Sequence, residues 1–242
     1  MCNNVDIIYV KLIYKMSNSK DDEIIFRDRL FPYIERSKLN KLMIDKETMS
    51  YITTPNTAKQ ICNIIRNYFK KYGVEMDSII DCTACVGGDT IALANIFSEV
   101  VSVEIDKDRY NMLQNNINVY KLKNVTVYNA DCIELLKQIE YTQAIYLDPP
   151  WGGSEYKSCD NLRLFIGDKS IENITTDLIH RRYTHKPPRF IILKLPQNYD
   201  IQHFFTSVTK KDEIEIYLHR LKKINVIVVV NKYVDNEYTI IE

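Results

Sequence analysis

The chain has no net charge to act with: over 242 residues, 32 basic and 32 acidic side chains cancel. Without a global positive field, a sequence-independent coat for long nucleic acid is disfavoured, whereas a small or local phosphate target stays open. The chain also lacks a G-x-G-x-x-G turn, which argues against a nicotinamide cofactor. Cys82 and Cys85 form a C-x-x-C, but no second pair or histidine cluster completes a zinc site. A redox C-x-x-C would open a helix directly, and here Gly87-Gly88 intervenes. The six cysteines therefore read as structural or ligand-loop thiols in a reducing compartment, with no metal expected. Long hydrophobic runs are missing too. Val5 to Tyr14 is apolar but short, and Asp6 and Lys11 interrupt it, which fits neither a membrane span nor a signal peptide. An intracellular protein of nucleus or cytoplasm, away from membranes and working as a monomer, is the expectation. No internal repeat or low-complexity segment is present.

What is there alternates between strand and helix. Residues 1–16 are expected to be disordered or to precede the native start, with Met16 as the alternative initiator. Residues 20–50 read as a charged helical extension, with Ile24, Ile25, Leu30, Phe31 and Ile34 at roughly helical spacing. Thr54-Pro55 then opens a helix that Gly73 ends. Strands are expected over 78–81, 100–104, 125–129, 144–148, 190–195, 214–218 and 225–230. Helices are expected over 88–97, 107–120, 132–139, 174–182 and 201–206, with a polar loop over 152–172. Four βα repeats followed by a closing β pair imply an α/β fold: a Rossmann-like, doubly wound, mostly parallel seven-stranded sheet with an antiparallel edge strand. The division is an extension over 1–50 and one catalytic domain over 51–242. The basic residues cluster late (Arg181, Arg182, His185, Lys186, Arg189 and Lys194, then Lys210, Lys211, Arg220, Lys222 and Lys223), and a solvated face is their plain reading.

Three strand ends carry an acid. Asp81 closes the first strand and opens the turn Asp81-Cys-Thr83-Ala-Cys85-Val-Gly87-Gly88, where glycine lets the backbone approach a ligand at a helix start. Glu104 closes the second, sixteen residues after Gly88, near the offset at which an acid grips a ribose diol. Asp131 follows the third. Such a set suits a ligand with ribose and amine groups and suits a pyrophosphate poorly. S-adenosylmethionine fits, with Asp81 toward its cationic end and Glu104 at its ribose.

The fourth strand ends in Asp148-Pro149-Pro150-Trp151-Gly152-Gly153. Its acid lies where open α/β sheets bind ligands. The prolines supply no N–H, so their carbonyls are left to accept hydrogen bonds. Trp151 adds a flat π-face. Acceptors beside a stacking plate suit a planar ring bearing an amine, a nucleobase.

With its first βα turn, the Glu104 strand end, Asn115-Asn116 on the second helix and the run from Asp148 to Tyr156, the chain resembles the trimethylguanosine synthases, cap guanine-N2 methyltransferases. The resemblance extends from about Tyr51 to Val230. It implies a class I methyltransferase that converts the exocyclic N2 of 7-methylguanosine in an RNA 5′ cap, without metal, from S-adenosylmethionine. It implies capped RNA or free 7-methylguanosine nucleotides as partners. Carried over, Trp151 stacks on the cationic base, and Asp148 and the Pro149 carbonyl orient the amine as catalytic groups. Thr54, Asp81, Thr83, Gly87, Glu104, Asp131 and Asp148 meet the cofactor. Tyr51, Asn116, Trp151, Tyr156, Lys194 and Gln197 meet the cap. Tyr51, Thr53 and Thr54 match the stretch that closes over both ligands.

Three positions depart from the family: Asp148 stands where Ser is usual, Cys85 where Gly is usual, and Gln197 where an arginine binds phosphate. Lys194, Arg181 or Arg182 is the compensating cation the sequence offers. Asp148 also resembles the acid of enzymes that methylate adenine or cytosine amines, and the alternative reading is an amine methyltransferase acting on adenine, cytosine or guanine within DNA, tRNA or rRNA. A glutamine methyltransferase and an inactive cap-binding module are further alternatives.

Overall fold

The computed structural model describes residues 27–208 and 212–232. Expectations for residues 1–16, Met16, Ile24, Ile25, Lys210 and Lys211 fall outside the described residues. Short helix α1 (Arg36–Leu39) and a 3-10 turn (Thr48–Ser50) precede α2 (Pro55–Tyr72). Then come β1 (Ser78–Asp81), α3 (Gly88–Leu93), β2 (Glu99–Glu104), α4 (Lys107–Tyr120), β3 (Val125–Asn129), α5 (Cys132–Leu136) and β4 (Ala144–Leu147). A 3-10 turn (Gly153–Ser158), the hairpin β5 (Phe165–Ile166) and β6 (Lys169–Ser170), α6 (Ile171–Ile179), β7 (Phe190–Pro196), α7 (Ile201–Ser207), β8 (Ile214–Arg220) and β9 (Ile224–Asn231) follow.

The seven-stranded sheet has the order β3-β2-β1-β4-β7-β9-β8. Its first five strands pair in parallel, and the reversed pairings of β9 with β7 and β8 are confined to one end. The chain winds outward from β1 to β3, returns to β4 and winds the other way. The β1/β4 junction is thus the topological switch point, where the loops leaving adjacent strands diverge and a crevice opens.

Side chains alternate along each strand and so sort onto two faces. Ile80, Ile145, Leu147, Ile191 and Leu193 pack with α6 and with Phe204 of α7. Ile79, Tyr146, Phe190 and Ile192 pack with Ile61, Ile65 and Phe69 of α2. That helix starts with proline in its first turn and ends at Gly73, whose φ of 63° is open to glycine without strain.

Two expectations change. Residues 27–50 are helical only at 27–30 and in α1, apart from the 3-10 turn. The backbone of Met43 is claimed by a distant side chain: its N–H donates to Asn116 Oδ1 at 2.7 Å and its carbonyl accepts from Asn116 Nδ2 at 2.8 Å. Leu30, Phe31, Ile34, Leu39 and Leu42 bury themselves against Ala84, Val86, Leu113 and Ile117, so the segment is held by long-range packing rather than helical periodicity. The loop expected over 152–172 contains the β5–β6 hairpin, and α6 begins at Ile171 because Ser170 caps it, accepting from Asn173 N–H.

Candidate active site

The crevice at the β1/β4 switch point is lined by charge. Asp148 follows β4, and its backbone N–H donates to Thr83 Oγ1 at 2.7 Å, which ties the β1 loop to the β4 loop. Its Oδ2 accepts from Lys194 Nζ at 2.5 Å. Lys194 follows the alternation of β7: with Phe190 and Ile192 it faces the α2 side, where it is 3% exposed. Its ammonium also donates to Thr53 Oγ1 at 2.5 Å, and that hydroxyl in turn donates to Asp89 Oδ2 at 2.6 Å. Asp89 stands in the first turn of α3, 3.8 Å from the same ammonium.

Burial governs the titration of these groups. It pushes the Asp148 carboxyl up to about 6; Lys194 acts against the rise and Asp89 adds to it. Burial likewise raises Asp81 to about 7, although Thr90 donates to its Oδ2 and Thr83 N–H to its Oδ1. For Lys194, burial disfavours the charge, but Asp148 and Asp89 prevail and hold its pKa above the ordinary value.

Trp151 leaves the cluster toward solvent. Its ring is half-buried, 5.4 Å from Lys194 Nζ and edge-on to Tyr156, with centroids 5.2 Å apart. Its Nε1 is buried and lies against the Asp148 carboxyl, where its N–H helps to hold the charge, and the buried hydroxyl of Tyr146 beneath the cluster lies against Asp89. Asn198 Nδ2 donates to the Tyr156 and Cys159 carbonyls, both at 2.6 Å, and so fixes the turn carrying Tyr156.

The other end of the crevice is built from backbone. Glu104 ends β2 nearly buried and accepts from Cys85 N–H at 2.9 Å and Asp106 N–H at 2.8 Å; burial raises its pKa and those two amides pull it down. Gly87 has a φ of 100°, and a Cβ on Gly88 would stand 2.8 Å from Ile52 Cγ1 and 3.2 Å from the Thr53 carbonyl. The segment before α2 thus lies directly on the glycine turn. Cys85 holds a φ of 50° and turns its sulfur to Thr48 Oγ1, 3.9 Å away. Asp131 is exposed and caps α5 by accepting from Ile133 N–H. Thr54 is the exposed residue before α2, its hydroxyl shared with Thr57 at 3.0 Å rather than capping the helix.

The structure therefore brings Asp81, Thr83, Asp148, Trp151, Tyr156 and Lys194 together and leaves others apart. Asn116 is fully buried; it holds Met43 and also donates to the Val86 carbonyl at 2.9 Å, so no donor remains for a cap. Lys194 is spent on the buried ion pair and offers no surface charge to phosphate. Gln197 points to the β8–β9 turn, donating to the carbonyls of Leu221 at 3.2 Å and Lys222 at 2.9 Å. Arg182 pairs with Asp177 at 2.6 Å. Tyr51 is exposed over the Arg109 guanidinium, 5.7 Å from its ring, beside the cofactor turn rather than Trp151. Asp89 was not anticipated, although an acid immediately after two glycines at a helix start was a usable signal. No helix of the described residues is long and apolar enough to cross a membrane.

Comparison with known proteins narrows the chemistry. The sequence pattern of the family described as RNA cap guanine-N2 methyltransferase matches residues 76–240. The uncharacterized protein L320 of Acanthamoeba polyphaga mimivirus is 33% identical, over 84% of each chain. The trimethylguanosine synthase of Schizosaccharomyces pombe is 23% identical, over 73% of each. An N2-guanine 16S rRNA methyltransferase of T. thermophilus, solved with S-adenosylmethionine and guanosine, superposes with a TM-score of 0.54 at 16% identity. It covers 78% of this chain and 44% of its own, a likeness of fold.

Proposed function

The chain belongs to the RNA cap guanine-N2 methyltransferase family and is an S-adenosylmethionine-dependent methyltransferase; from that premise we propose that it methylates the exocyclic N2 of 7-methylguanosine in an RNA 5′ cap. The observation that carries the reading is the Asp148–Trp151 corner at the switch point. There a carboxylate held by a buried lysine lies beside an indole whose face is half-open.

The residues present fit the cofactor. Gly87 and Gly88 keep the turn free of side chains, and Glu104 retains acceptor capacity for a ribose diol beyond its two amide bonds. When bound, S-adenosylmethionine supplies an electrophilic methyl group on a sulfonium. The protein's own contribution is alignment. Trp151 stacks on the 7-methylguanine ring, whose positive charge strengthens the contact. The Asp148 carboxylate, whose Oδ2 is held by Lys194, takes one N2–H, and the Pro149 carbonyl takes the other, so the nitrogen lone pair is aimed rather than free to turn. The N2 proton becomes acidic only as the methyl arrives, so Asp148 accepts it late. Tyr156, Lys157 and the β8–β9 turn with Lys222 and Lys223 face the phosphates, and Gln197 serves by holding that turn.

The test is transfer of labelled methyl to 7-methyl-GDP against GDP. Label on 7-methyl-GDP alone is expected. Label on neither nucleotide but on uncapped RNA or DNA would transfer the assignment to the alternative that Asp148 favours, an amine methyltransferase of polymer bases.

A further inference from the structure

We propose that Lys194 is a positioning residue that holds Asp148 as an outward-facing carboxylate, and that Asp89 opposes it, so that the two set the lower pH limit of methyl transfer. The inference rests on the reading of Asp148 as the acceptor for the substrate amine.

The geometry is a closed chain of contacts. The Lys194 ammonium reaches Asp148 Oδ2 and Thr53 Oγ1, both at 2.5 Å, and the Thr53 hydroxyl donates a hydrogen bond to Asp89 Oδ2 at 2.6 Å. Behind them, Thr90 donates to Asp81 Oδ2 at 2.6 Å. From β4 the Tyr146 hydroxyl lies against Asp89, and the Trp151 N–H lies against Asp148. Two carboxylates, from α3 and the β4 loop, thus share one ammonium from β7, and Asp81 of β1 acts on its charge from farther off. A buried ion pair is a poor device for stability, since well-packed apolar residues of similar volume do as well or better. Its presence in a strand that is otherwise apolar points to a demand for charge.

That demand follows from the acceptor. A protonated Asp148 would offer a hydrogen where the substrate amine needs a lone pair. Crowded carboxylates take up protons to relieve their repulsion. Lys194 is the charged group that opposes this at Asp148, with the Trp151 N–H acting in the same direction, and it does so from Oδ2. Asp89 draws on the same ammonium and adds negative charge, so it acts in the opposite sense.

The two residues therefore have opposite signatures. In kcat/KM profiles for 7-methyl-GDP, Lys194→Met should raise the acid limb by about one pH unit or more, with activity regained near pH 9. Lys194→Arg should restore the limb, and Asp89→Asn should lower it. The same directions should appear in the carboxyl-carbon NMR titration of Asp148 in the ligand-free protein, assigned with Asp148→Asn. That measurement needs no substrate. Shifted titrations without nucleotide methylation would uphold this inference while removing the cap reading. If Lys194→Met does not fold, Asp89→Asn decides alone. Limbs and titrations that stay put while activity falls equally at all pH values would overturn the proposal and leave Lys194 a packing residue.

Discussion

The two ends of the crevice are stabilised by different means. At the cofactor end, glycines, helix starts and amide-to-carboxylate bonds shape the wall, and Glu104 and Asp106 are satisfied by neighbouring backbone. At the acceptor end, charged side chains from distant parts of the chain are pressed together, with the Lys194 ammonium between Asp148 and Asp89. Backbone-made walls keep their shape when one side chain is removed. A wall of mutually dependent charges does not. Substitutions at the acceptor end should therefore lower the rate of the chemical step, and those at the cofactor end should lower affinity.

Trp151→Ala should give the largest effect. Base–aromatic stacking contributes about 1–3 kcal/mol, and misplacing the amine by an ångström can cost roughly 100-fold. Methyl transfer to 7-methyl-GDP is expected to drop by at least ~100-fold, with S-adenosylmethionine affinity, read by calorimetry, little changed. Loss of cofactor affinity in step with activity would break the division between the ends.

Glu104→Ala is the reciprocal test and the next in size. Hydrogen bonds to a charged group contribute about 1.5–3 kcal/mol, so cofactor binding should weaken roughly 10- to 100-fold while kcat at saturation stays within a few-fold. Unchanged affinity would remove Glu104 from the ribose.

Asp81 lies between the two ends and is best read through pH. Its folded-state value, about 7, stands above the ~3.9 of an exposed aspartate, so the folded protein binds more protons between them. Its contribution to stability is therefore complete below about pH 4 and is lost as pH rises through about 7. The ligand-free protein should lose roughly 5 °C in Tm between mildly acidic and mildly alkaline buffer, and Asp81→Asn should flatten that slope. A Tm that climbs over this range would mean that another group controls the site.

Much of this contrast could be read from the sequence, and the exceptions share a cause. Apolar runs gave away the strands because burial on both faces of a parallel sheet demands them. The Asp148–Trp151 corner and Glu104 were legible because a strand end fixes where its next residue must lie. Asn116, by contrast, sits in a helix whose sequence says nothing of Met43, seventy-three positions away. Lys194 looks from its neighbours in sequence like a phosphate cation, although its alternation with Phe190 and Ile192 turns it inward. Asp89 acquires its place in the site only through Thr53, thirty-six positions away. The β5–β6 hairpin has strands of two residues, too short for any period to register.

Cys85 supplies the smallest test. It occupies a glycine position in the cofactor turn with a φ of 50°, a left-handed conformation that is unfavourable by about 1–2 kcal/mol for a residue with a Cβ. Cys85→Gly would relieve that strain. Against this, glycine loses about 0.5–1 kcal/mol more conformational freedom on folding, and the packing of the thiol near Thr48 disappears. These contributions nearly cancel, so the change in unfolding free energy should stay within ~1 kcal/mol. The Cys85 N–H that reaches Glu104 belongs to the backbone and survives the substitution, so cofactor affinity should hold as well. A marked loss of affinity would show that the thiol itself supports the turn, and the cofactor end would then depend on side chains as the acceptor end does.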